Sequence, residues 1–578
     1  MDAQPTTPAP EHATTASLLL ARAEDDAPGL LFEERTWSWR EVVAQGAVRA
    51  AWLTAERQRT EPRSERPWHV GVLSDNTPEY LFLLVGAALS GATLVGVNPT
   101  RRGAGLAADL RATDVDLLLV DPSHSLALDG VDHGARRVVM LDGDDSETGE
   151  GEHATALATH AHAPVAPSAA ALDPTTTLML LFTSGSTGAP KAVVCSTGRF
   201  AVLCQLTPLR LERDDVAYNA MPMFHGNALM ASWGPCLPAG ATWALRRRFS
   251  ASGFLEDLLS TGATYANYVG RSLAYVLAQP EDPREASTRL RFVFGTEASA
   301  RDQGEFTRRY GCPVVESYGS SEGVCSIRRT AETPPGALGV PGPGTPCEVR
   351  APDGSVCPPA RLSPEGRLLN ADEAVGEIVA VGAAARFEGY YAHPAATADK
   401  VRGDDVHTGD LAYVDEQGWF WFAGRTADWL RVDSENFAAA PVERVLARLP
   451  GVALAAVYPA PDPRTGDRVM ACLQLDDASA ERGLDPAALA AFVDAQPDLH
   501  AKARPTLVRV SRQLPVTATR KVDKPRLRRE LWTTADPVWE WDAAARRYRP
   551  LDDVRRRALE AAFAEHGREG VVSRPALG

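Results

Sequence analysis

The chain has 578 residues, 44% of them hydrophobic and 23% charged, and its formal net charge is −15 at pH 7. This length predicts two or more domains, and the composition is ordinary for a globular protein. The acidic balance, without a dominant basic tract, argues against nucleic acid as a partner. The eight cysteines are scattered and form no C-x-x-C pair. This spacing predicts reduced thiols in a cytoplasmic protein, with neither a disulfide framework nor a zinc site.

The first part of the chain alternates apolar runs with helix-like segments. "HVGVLSD" predicts a strand, "TPEYLFLLVGAALSG" a helix and "DVDLLLVDP" another strand. This alternation predicts α/β layers around a largely parallel sheet. The most membrane-like segment, residues 81–97, is short for a membrane span and is interrupted by Gly86, Ser90 and Gly91. We therefore predict a buried helix, a turn at Gly91 and a buried strand there, and no transmembrane segment.

Residues 121–172 are rich in Ala, His, Asp and Gly, which predicts a loose surface insertion. His153, His160 and His162 lie in this insertion. A metal site is one interpretation of the three histidines, but a solvated loop is the preferred one.

The pattern changes late in the chain. "GEIVAVG" and "LAYVDEQGWFWFAG" predict a small β-rich unit, and a new α/β pattern begins after Gly424-Arg425. We place a domain boundary there, with an N-terminal domain over residues 16–424 and a C-terminal domain over residues 425–578. Near the end, residues 551–566 predict an amphipathic helix. Its apolar side is expected to carry Leu551, Val554, Leu559 and Phe563.

The stretch "LLFTSGSTGAPKAVVCS", residues 180–196, joins two apolar runs through a loop of glycines and hydroxyls. Such a loop suits phosphate, because glycine lets the backbone approach closely, backbone N–H groups and hydroxyls donate hydrogen bonds, and Lys191 adds a positive charge. The stretch is not a Walker P-loop, since Ala192 follows the lysine and "KAVVCS" predicts a strand instead of a helix. We therefore predict a phosphate-binding hairpin loop. The alternative is an ordinary polar hairpin.

Three later motifs occur in an order that extends this interpretation: "ESYGSSEG" (316–323), "HTGDLAYVDEQGWFWFAGR" (407–425) and "LPVTATRKVDKPRLR" (514–528). Together with the loop they resemble the signatures of the adenylate-forming superfamily, which includes acyl-CoA synthetases, peptide-synthetase adenylation domains and luciferases. Residues 265–280 and 424–443 look closest to long- and very-long-chain acyl-CoA synthetases, including the fatty-acid transport protein branch. The resemblance implies a large N-terminal domain of layered α/β subdomains with a β-rich subdomain, and a small mobile α+β C-terminal domain.

The resemblance implies an ATP-dependent acyl-CoA ligase for a hydrophobic acid, either a medium- or long-chain fatty acid or a bulky polycyclic acid. In this family the carboxylate attacks the α-phosphate of ATP to give acyl-AMP and pyrophosphate, and the CoA thiol then displaces AMP. The implied cofactors are ATP, Mg²⁺ and CoA. Attack on phosphorus requires hydrogen-bond donors, a cation and a metal carboxylate more than acid–base groups.

The resemblance also assigns roles to residues, motif by motif. The β- and γ-phosphates would be held by Thr183, Ser184, Gly185, Ser186, Thr187, Gly188 and Lys191. Further ATP contacts are implied at Gly295, Thr296, Glu297, Ser317, Tyr318, Gly319, Ser320, Ser321, Asp410 and Arg425. Among these, Tyr318 would stack on adenine, Ser321 would contact the α-phosphate and Asp410 would bind the ribose hydroxyls. Glu322 would hold Mg²⁺.

Three catalytic candidates follow: Glu322, His225 and Lys521. Lys521 would bridge the acyl carboxylate and the α-phosphate, and "LPVTAT" before it favours it over Lys524. From charge pattern alone, Lys521 would be a solvated lysine in a basic stretch. His225, in "MPMFHGNAL", would line the carboxylate end of the acyl pocket, although a packed core histidine is nearly as good an interpretation.

The acyl pocket would be lined by His225, Asn267, Tyr268 and Gly270, and the CoA tunnel by Asp433, Ser434, Glu435 and Asn436. The family often has glycine where Asp433 and Ser434 stand, and a side chain there could crowd CoA. A ligase that loads a carrier-protein thiol is therefore an open alternative.

Two other classes compete with the ligase. Residues 319–323 fit the G-x-S-x-G pattern of α/β-hydrolases, with Ser321 as the nucleophile, but His407 and Asp410 follow in the wrong order for that fold. The other class is a non-catalytic nucleotide-binding protein. The presence of Glu322 and Lys521 argues against it.

Overall fold

The computed structural model describes residues 13–59, 66–142, 151–183, 191–206, 210–269, 272–296, 298, 300–330, 332–334, 336–363, 368–425, 429–432, 435–463, 467–496, 499, 501–517 and 521–566. These residues form two compact units. The first contains the described residues up to Gly323 together with Ala385–Asp399, and the second contains the other described residues from Val324 onward. The domain boundary predicted after Gly424 stays a prediction.

The strands of the first unit are β1 Pro28–Phe32, β2 Arg35–Ser38, β3 His69–Leu73, β4 Thr93–Gly96, β5 Leu117–Val120, β6 Arg137–Met140, β7 Thr177–Thr183, β8 Lys191–Ser196, β9 Val216–Asn219, β10 Thr242–Leu245, β11 Tyr265–Asn267, β12 Phe292–Gly295 and β13 Val314–Gly319. Its helices are α1 Thr15–Leu20, α2 Trp39–Arg59, α3 Pro78–Ser90, α4 Gly103–Ala112, α5 Glu152–Ala158, α6 Thr197–Leu206, α7 Gly226–Ala228, α8 Gly234–Ala239, α9 Phe254–Thr261, α10 Ser272–Leu277 and α11 Ala300–Tyr310. A π-helical stretch, Leu229–Trp233, joins α7 to α8.

The described strands of the first unit lie in two mainly parallel sheets. One has the order β6-β5-β3-β4-β7-β8 and is parallel except for the β7–β8 pair. The other includes the order β13-β12-β11-β9-β10-β1-β2 and is parallel except for the β1–β2 pair. The predicted α/β class is confirmed, and the carboxyl ends of these strands carry the loops from which sites are built in such sheets.

The apolar segment of residues 81–97 forms α3, the turn at Gly91 and β4, as predicted. The Thr77 hydroxyl caps α3 by accepting a hydrogen bond from the backbone N–H of Tyr80, and Pro78 occupies the first turn. Gly91 ends the helix with φ 75°, a conformation that glycine adopts without strain. No helix in the described part of the chain is long and apolar enough to cross a membrane.

Helices α2 and α3 pack closely where each carries a glycine. A Cβ atom on Gly46 would lie 2.1 Å from Val85 Cγ1, and one on Gly86 would lie 2.6 Å from the Cβ of Arg49. No larger side chain fits at either position, because a packed interior has no spare volume for an added methyl group.

The described residues of the 121–172 segment form more regular structure than predicted, and the expectation of a solvated His153 is wrong. His153 lies in the first turn of α5, is 2% exposed and packs edge-on against Trp52 with 4.9 Å between ring centroids. Its Nδ1 and Nε2 atoms lie 3.3 Å and 3.4 Å from carboxylate oxygens of Asp142 and Glu79. Trp52 and Glu79 belong to distant elements of the chain, so the local composition could not reveal this environment. His162 is exposed, as expected for the loop.

Asp109, on α4, is a buried carboxylate with an unfavourable environment. It is 2% exposed, its Oδ2 lies 3.1 Å from Nε of Arg101, and burial raises its pKa from 3.8 to about 6. Between those two pKa values the folded chain binds a proton that the unfolded chain releases. The free energy of unfolding therefore falls as pH rises through this window.

We expect Asp109→Asn to remove the loss of unfolding free energy that ionisation of the buried carboxylate causes. The variant should be more stable than the wild type by about 1–3 kcal/mol near pH 7.5, and the difference should shrink toward zero at about pH 3, below both pKa values, where the aspartate is protonated in both states. Urea midpoints of both proteins, measured at the two pH values, check this. A stability difference that is the same at both pH values would contradict it.

The strands of the second unit are β14 Ser326–Arg328, β15 Val340–Pro341, β16 Cys347–Arg350, β17 Gly376–Ala380, β18 Val401–Arg402, β19 Asp405–Val414, β20 Phe420–Arg425, β21 Trp429–Val432, β22 Glu435–Ala438, β23 Val452–Pro461, β24 Asp467–Leu475, β25 Leu507–Ser511, β26 Val538–Asp542 and β27 Arg547–Pro550. Its helices are α12 Ala371–Ala374, α14 Ala439–Leu446, α15 Asp477–Arg482, α16 Pro486–Asp494, α17 Lys524–Glu530 and α18 Asp553–Glu565. Helix α13, Pro394–Lys400, lies almost entirely in the first unit.

Two larger sheets organise the second unit. Strands β16-β17-β19-β18 form an antiparallel sheet, with β20 paired to β19, which confirms the predicted β-rich unit. Strands β23-β24-β25-β26-β27 form the other, which is antiparallel except for the β24–β25 pair. Helices α14, α16, α17 and α18 contribute apolar residues to the cores around the second sheet, so this part has the predicted α+β character.

The predicted C-terminal helix is α18, but one of its residues faces away from the core. Leu559 and Phe563 are buried, whereas Val554 is 69% exposed. Residues five positions apart on a helix differ by about 140° in direction, so Val554 and Leu559 cannot share one narrow face.

The prediction that all thiols are reduced is wrong for one pair. Cys325 and Cys347 form a disulfide, with their Cα atoms 6.7 Å apart, and the other six cysteines are free. The pair is separated by 22 positions and belongs to no spacing motif, so only the fold reveals it.

Candidate active site

The strands on either side of the glycine-rich stretch pair as the two arms of a hairpin, as predicted. Strands β7 and β8 are antiparallel, and Thr183 stands opposite Lys191 where the two strands meet the loop. Because a strand follows the loop, the site is not a Walker P-loop, in which a helix follows.

Part of the predicted site falls on positions that the structure does not describe. Ser184, Gly185, Ser186, Thr187, Gly188, Gly270, Glu297, Asp433 and Ser434 lie outside the described residues. Only the backbone is described for Thr183, Arg425, Glu435 and Asn436. The roles implied for all these residues stay predictions.

A short segment around Tyr390 runs along the outer edge of β8. The backbone N–H of Val194 donates to the carbonyl of Gly389 at 3.1 Å, and the N–H of Tyr391 donates to the carbonyl of Ala192 at 2.9 Å. These bonds pair the segment with the strand that carries Lys191, so they place Tyr390 beside the β7–β8 hairpin.

Tyr390 connects the hairpin with the predicted metal ligand. Its hydroxyl donates a 2.7 Å hydrogen bond to Oε1 of Glu322, and Nζ of Lys191 lies 5.8 Å from the centroid of its ring. Burial and the adjacent Glu322 carboxylate raise the pKa of Tyr390, so the phenol keeps its proton and donates it. Sequence analysis did not identify Tyr390, because no pattern links it to a turn 68 positions earlier.

The chemistry of this turn suits Mg²⁺. Oε2 of Glu322 accepts no hydrogen bond from any residue that the structure describes, so one carboxylate oxygen is left for a ligand. Mg²⁺ is commonly held by one or two carboxylates together with phosphate oxygens of the substrate. Glu322 therefore fits the role that sequence analysis predicted for it.

The Ser320–Gly323 turn is fixed by Arg199, which lies in the first turn of α6. Its guanidinium donates to the carbonyl of Ser321 and, at 2.6 Å, to the carbonyl of Val194, and it lies 3.7 Å from the carboxylate of Glu388. A Cβ atom on Gly323, which has φ 63°, would lie 2.7 Å from Nη2 of the arginine. Glycine is therefore required there, and Arg199 is a second site residue that sequence analysis missed.

The loop that carries His225 is positioned from the neighbouring sheet. Nδ2 of Asn76, which follows β3, donates to the carbonyl of Met221 at 3.0 Å. Farther along this loop, a Cβ atom on Gly226 would lie 3.6 Å from Oγ of Ser321. Gly226, the neighbour of His225, thus lies close to the Ser320–Gly323 turn, and the role of His225 stays a prediction.

Glu316, two residues before Tyr318 on β13, organises the predicted adenine wall. Its carboxylate accepts hydrogen bonds from the Tyr268 hydroxyl at 2.9 Å, the Ala298 backbone N–H at 2.8 Å and the Gln303 side chain at 2.9 Å. At Gly295 a Cβ atom would lie 2.4 Å from the Tyr268 carbonyl oxygen. Gly295 therefore lies directly against Tyr268.

The residues predicted for the acyl pocket are well packed. Tyr268 is buried and bonded to Glu316, and Asn267 is buried and donates to Oδ1 of Asn227 at 2.7 Å. These contacts suit a wall of a binding pocket, and they equally suit the core packing that was the alternative.

In the second unit, Asp410 lies on β19 directly opposite Arg425 on β20. The irregular part of β19 just before it is held by Glu377, whose carboxylate accepts the Gly409 backbone N–H and pairs with Nδ1 of His407, both at 2.7 Å. Gly409 has φ 81°, which favours glycine. The motif pair predicted for ribose binding is thus brought together, and Glu377 is a further residue that sequence analysis missed.

Lys521 and Lys524 have different environments. Nζ of Lys524 forms a 2.7 Å ion pair with Glu443, and the residue begins α17. The backbone N–H of Lys521 donates to Oγ1 of Thr517 at 3.2 Å, and its carbonyl accepts from the backbone N–H of Thr517 at 2.7 Å. Lys524 has a structural partner, and Lys521 stays the predicted catalytic lysine.

The hydrolase interpretation fails on local structure. The nucleophile of an α/β-hydrolase sits on a turn between a strand and a helix. Ser321 follows β13, and the next regular element in the chain is β14, a strand.

Comparison with known proteins agrees with this geometry. The model of the AMP-binding enzyme family matches residues 20–391, and that of the AMP-binding enzyme C-terminal domain matches residues 441–521. The chain belongs to the AMP-binding enzyme family.

Curated relatives define the reaction class. The chain is 46% identical over 563 residues, 97% of its own length and 99% of the relative's, to the steroid-22-oyl-CoA synthetase of Rhodococcus jostii. It is 44% identical over 92% of its length and 99% of the relative's to the medium/long-chain-fatty-acid–CoA ligase FadD17 of Mycobacterium tuberculosis. The prediction of an AMP-forming acyl-CoA ligase that uses ATP, Mg²⁺ and CoA is confirmed.

Solved structures support the fold. ATP-bound MatB from Rhodopseudomonas palustris aligns with TM-score 0.75 and 23% identity, covering 89% of this chain and 98% of that one. The anthranilate CoA ligase AuaEII, in complex with anthranoyl-AMP, aligns with TM-score 0.76 and 20% identity, covering 90% and 97%. These similarities confirm the predicted plan of a large N-terminal and a small C-terminal domain.

Proposed function

We propose that the preferred substrate is a polycyclic acid, a steroid with its carboxylate on a short side chain, and that the acid is joined to CoA through acyl-AMP. The observation that carries this proposal is the 46% identity to a steroid-22-oyl-CoA synthetase along nearly the whole of both chains. Medium- and long-chain fatty acids are the second candidate substrates, because they are specified in the name of the FadD17 ligase, which is 44% identical to this chain.

The site residues have distinct tasks in this proposal. Lys191 and the loop before it bind the triphosphate, Tyr318 and the 295–299 loop hold adenine, and Asp410 binds the ribose. Mg²⁺, when bound, would neutralise phosphate charge, and Glu322 would hold it. Lys521 would stabilise the negative charge that gathers as the carboxylate attacks the α-phosphate.

The acceptor and the compartment complete the proposal. We take CoA as the acceptor thiol, and a phosphopantetheinyl carrier protein as the alternative suggested by Asp433 and Ser434. We place the enzyme in the cytoplasm, where ATP and CoA are available.

Pyrophosphate release with a panel of acids tests the substrate. The panel contains a steroid side-chain acid, a medium-chain and a long-chain fatty acid, and an aromatic acid. We expect the highest kcat/KM for the steroid acid, by about tenfold or more over the linear acids, because a pocket that fits a ring system binds a flexible chain at greater entropic cost. A preference for a linear acid would overturn the steroid assignment.

The same reactions, supplied with either CoA or a phosphopantetheinyl carrier protein, test the acceptor. Formation of the CoA thioester supports the proposal. Transfer to the carrier alone would overturn the choice of acceptor without affecting the substrate result.

A further inference from the structure

We infer that Tyr390 is a positioning residue for Glu322, and that its phenol orients the carboxylate that binds the metal of the metal–ATP complex. The inference depends on the proposed role of Glu322 in metal binding. It adds a residue that the four motifs do not contain. The observation behind it is the 2.7 Å hydrogen bond from the Tyr390 hydroxyl to Oε1 of Glu322.

The phenol of Tyr390 is held rigidly. The residue is 7% exposed, its backbone N–H donates to Oγ1 of Thr397 at 3.0 Å, and its ring packs edge-on against Phe387 with centroids 5.4 Å apart. The residue also bridges to Val193 on β8. A side chain fixed at both its backbone and its ring can hold a hydrogen-bonded partner in one orientation.

The hydrogen bond from Tyr390 gives the two oxygens of the Glu322 carboxylate different roles. Oε1 accepts the phenol proton, and Oε2 accepts no hydrogen bond from the described residues, so it is the oxygen available to a divalent cation. Ligating carboxylates are commonly hydrogen-bonded by an outer group in this way, and loss of such a group typically costs about 10- to 100-fold in metal affinity.

Tyr390 also contacts the other charged group of the triphosphate site. The Lys191 ammonium lies 5.8 Å from its ring centroid, within reach of a cation–π attraction. One ring thus lies between the predicted phosphate-binding lysine and the predicted metal-binding carboxylate. The spacing of these two charges is therefore set in part by Tyr390.

The variant Tyr390→Phe tests the inference, because it removes the hydroxyl and keeps the ring. Its matched control is Tyr391→Phe. The neighbouring Tyr391 hydroxyl also donates to a carboxylate, Oδ2 of Asp114 at 3.0 Å, and its ring packs edge-on against His69. Both variants lose one phenol–carboxylate hydrogen bond, and only one of these bonds involves Glu322.

Two measurements are compared. The first is the Mg²⁺ concentration for half-maximal ATP–pyrophosphate exchange. The second is binding of Mn²⁺ in the presence of α,β-methylene ATP, followed by electron paramagnetic resonance, which requires no turnover. Tyr390→Phe should raise both constants about 10- to 100-fold, with the KM for the acid unchanged, and Tyr391→Phe should leave both within about twofold of the wild type.

A double variant separates positioning from a general structural effect. If Tyr390 acts through Glu322, Tyr390→Phe added to Glu322→Gln should weaken Mn²⁺ binding no further. Normal Mn²⁺ binding by Tyr390→Phe, with weakened binding by Glu322→Gln, would overturn the inference alone. Normal binding by Glu322→Gln would remove the metal role of Glu322 and the inference with it, while the ligase activity and its substrate would still stand on the pyrophosphate assay.

Discussion

Replacement of Lys521 by alanine is expected to reduce carboxylate-dependent ATP–pyrophosphate exchange by about 100- to 1,000-fold, while thiolysis of supplied acyl-AMP stays within about threefold of the wild type. The two half-reactions differ in where charge develops. In the first, negative charge accumulates between the acyl carboxylate and the α-phosphate, and an ammonium stabilises that transition state more than the ground state. In the second, a thiol displaces AMP from a mixed anhydride, and this lysine has no proposed part.

The chain supplies a matched control for this experiment three positions farther on. Lys524 carries the same charge in the same basic stretch, but its ammonium is paired with Glu443 in the second unit. Lys524→Ala is therefore expected to lower stability modestly and to leave pyrophosphate exchange within about threefold. Equal loss of both half-reactions in Lys521→Ala, or a larger loss in Lys524→Ala, would contradict the choice of Lys521.

Replacement of Glu322 by glutamine is expected to produce the second largest effect. An amide has nearly the shape of the carboxylate but lacks its charge, so it is a poor ligand for Mg²⁺. We expect adenylation at low Mg²⁺ to fall by about 100-fold and to recover in part as Mg²⁺ is raised. The measurement is the initial rate of pyrophosphate release as a function of Mg²⁺ at fixed ATP.

Glu388→Gln is the comparison for this variant. Glu388 lies in the same unit, and its carboxylate accepts the Ser196 backbone N–H at 2.7 Å and lies 3.7 Å from Arg199. Its loss should disturb the Ser320–Gly323 turn and lower the rate by a similar factor at every Mg²⁺ concentration. A Glu322→Gln profile with that same flat shape would show that Glu322 does not act through the metal.

Local patterns predicted the parts of the fold that local forces decide. Alternating apolar runs identified the layers, and the glycine, hydroxyl and lysine content of residues 180–196 identified a hairpin between two strands. The capping residue Thr77 and the turn at Gly91 mark the ends of α3 in both sequence and structure. Each of these features depends on neighbours within a few positions, so one sequence is sufficient.

The remaining site residues depend on contacts between distant parts of the chain. Arg199 reaches the carbonyl of Ser321 122 positions away, and Tyr390 reaches Glu322 across 68 positions. Neither residue belongs to a motif, and each would be classed from sequence as an ordinary polar residue. The burial of His153 and the Cys325–Cys347 disulfide were missed for the same reason, since both follow from tertiary packing.

The two adjacent tyrosines of the segment beside β8 serve different partners, Tyr390 binding Glu322 and Tyr391 binding Asp114. Because the segment is paired with a strand, an insertion or deletion of one residue just before it would shift both side chains by one place and turn each to the opposite face of the strand. The number of residues just before Tyr390 is therefore constrained as strictly as the identity of Tyr390 itself. Homologues in this family should vary in residue type there far more readily than in the number of residues, and any engineered loop swap should preserve that count.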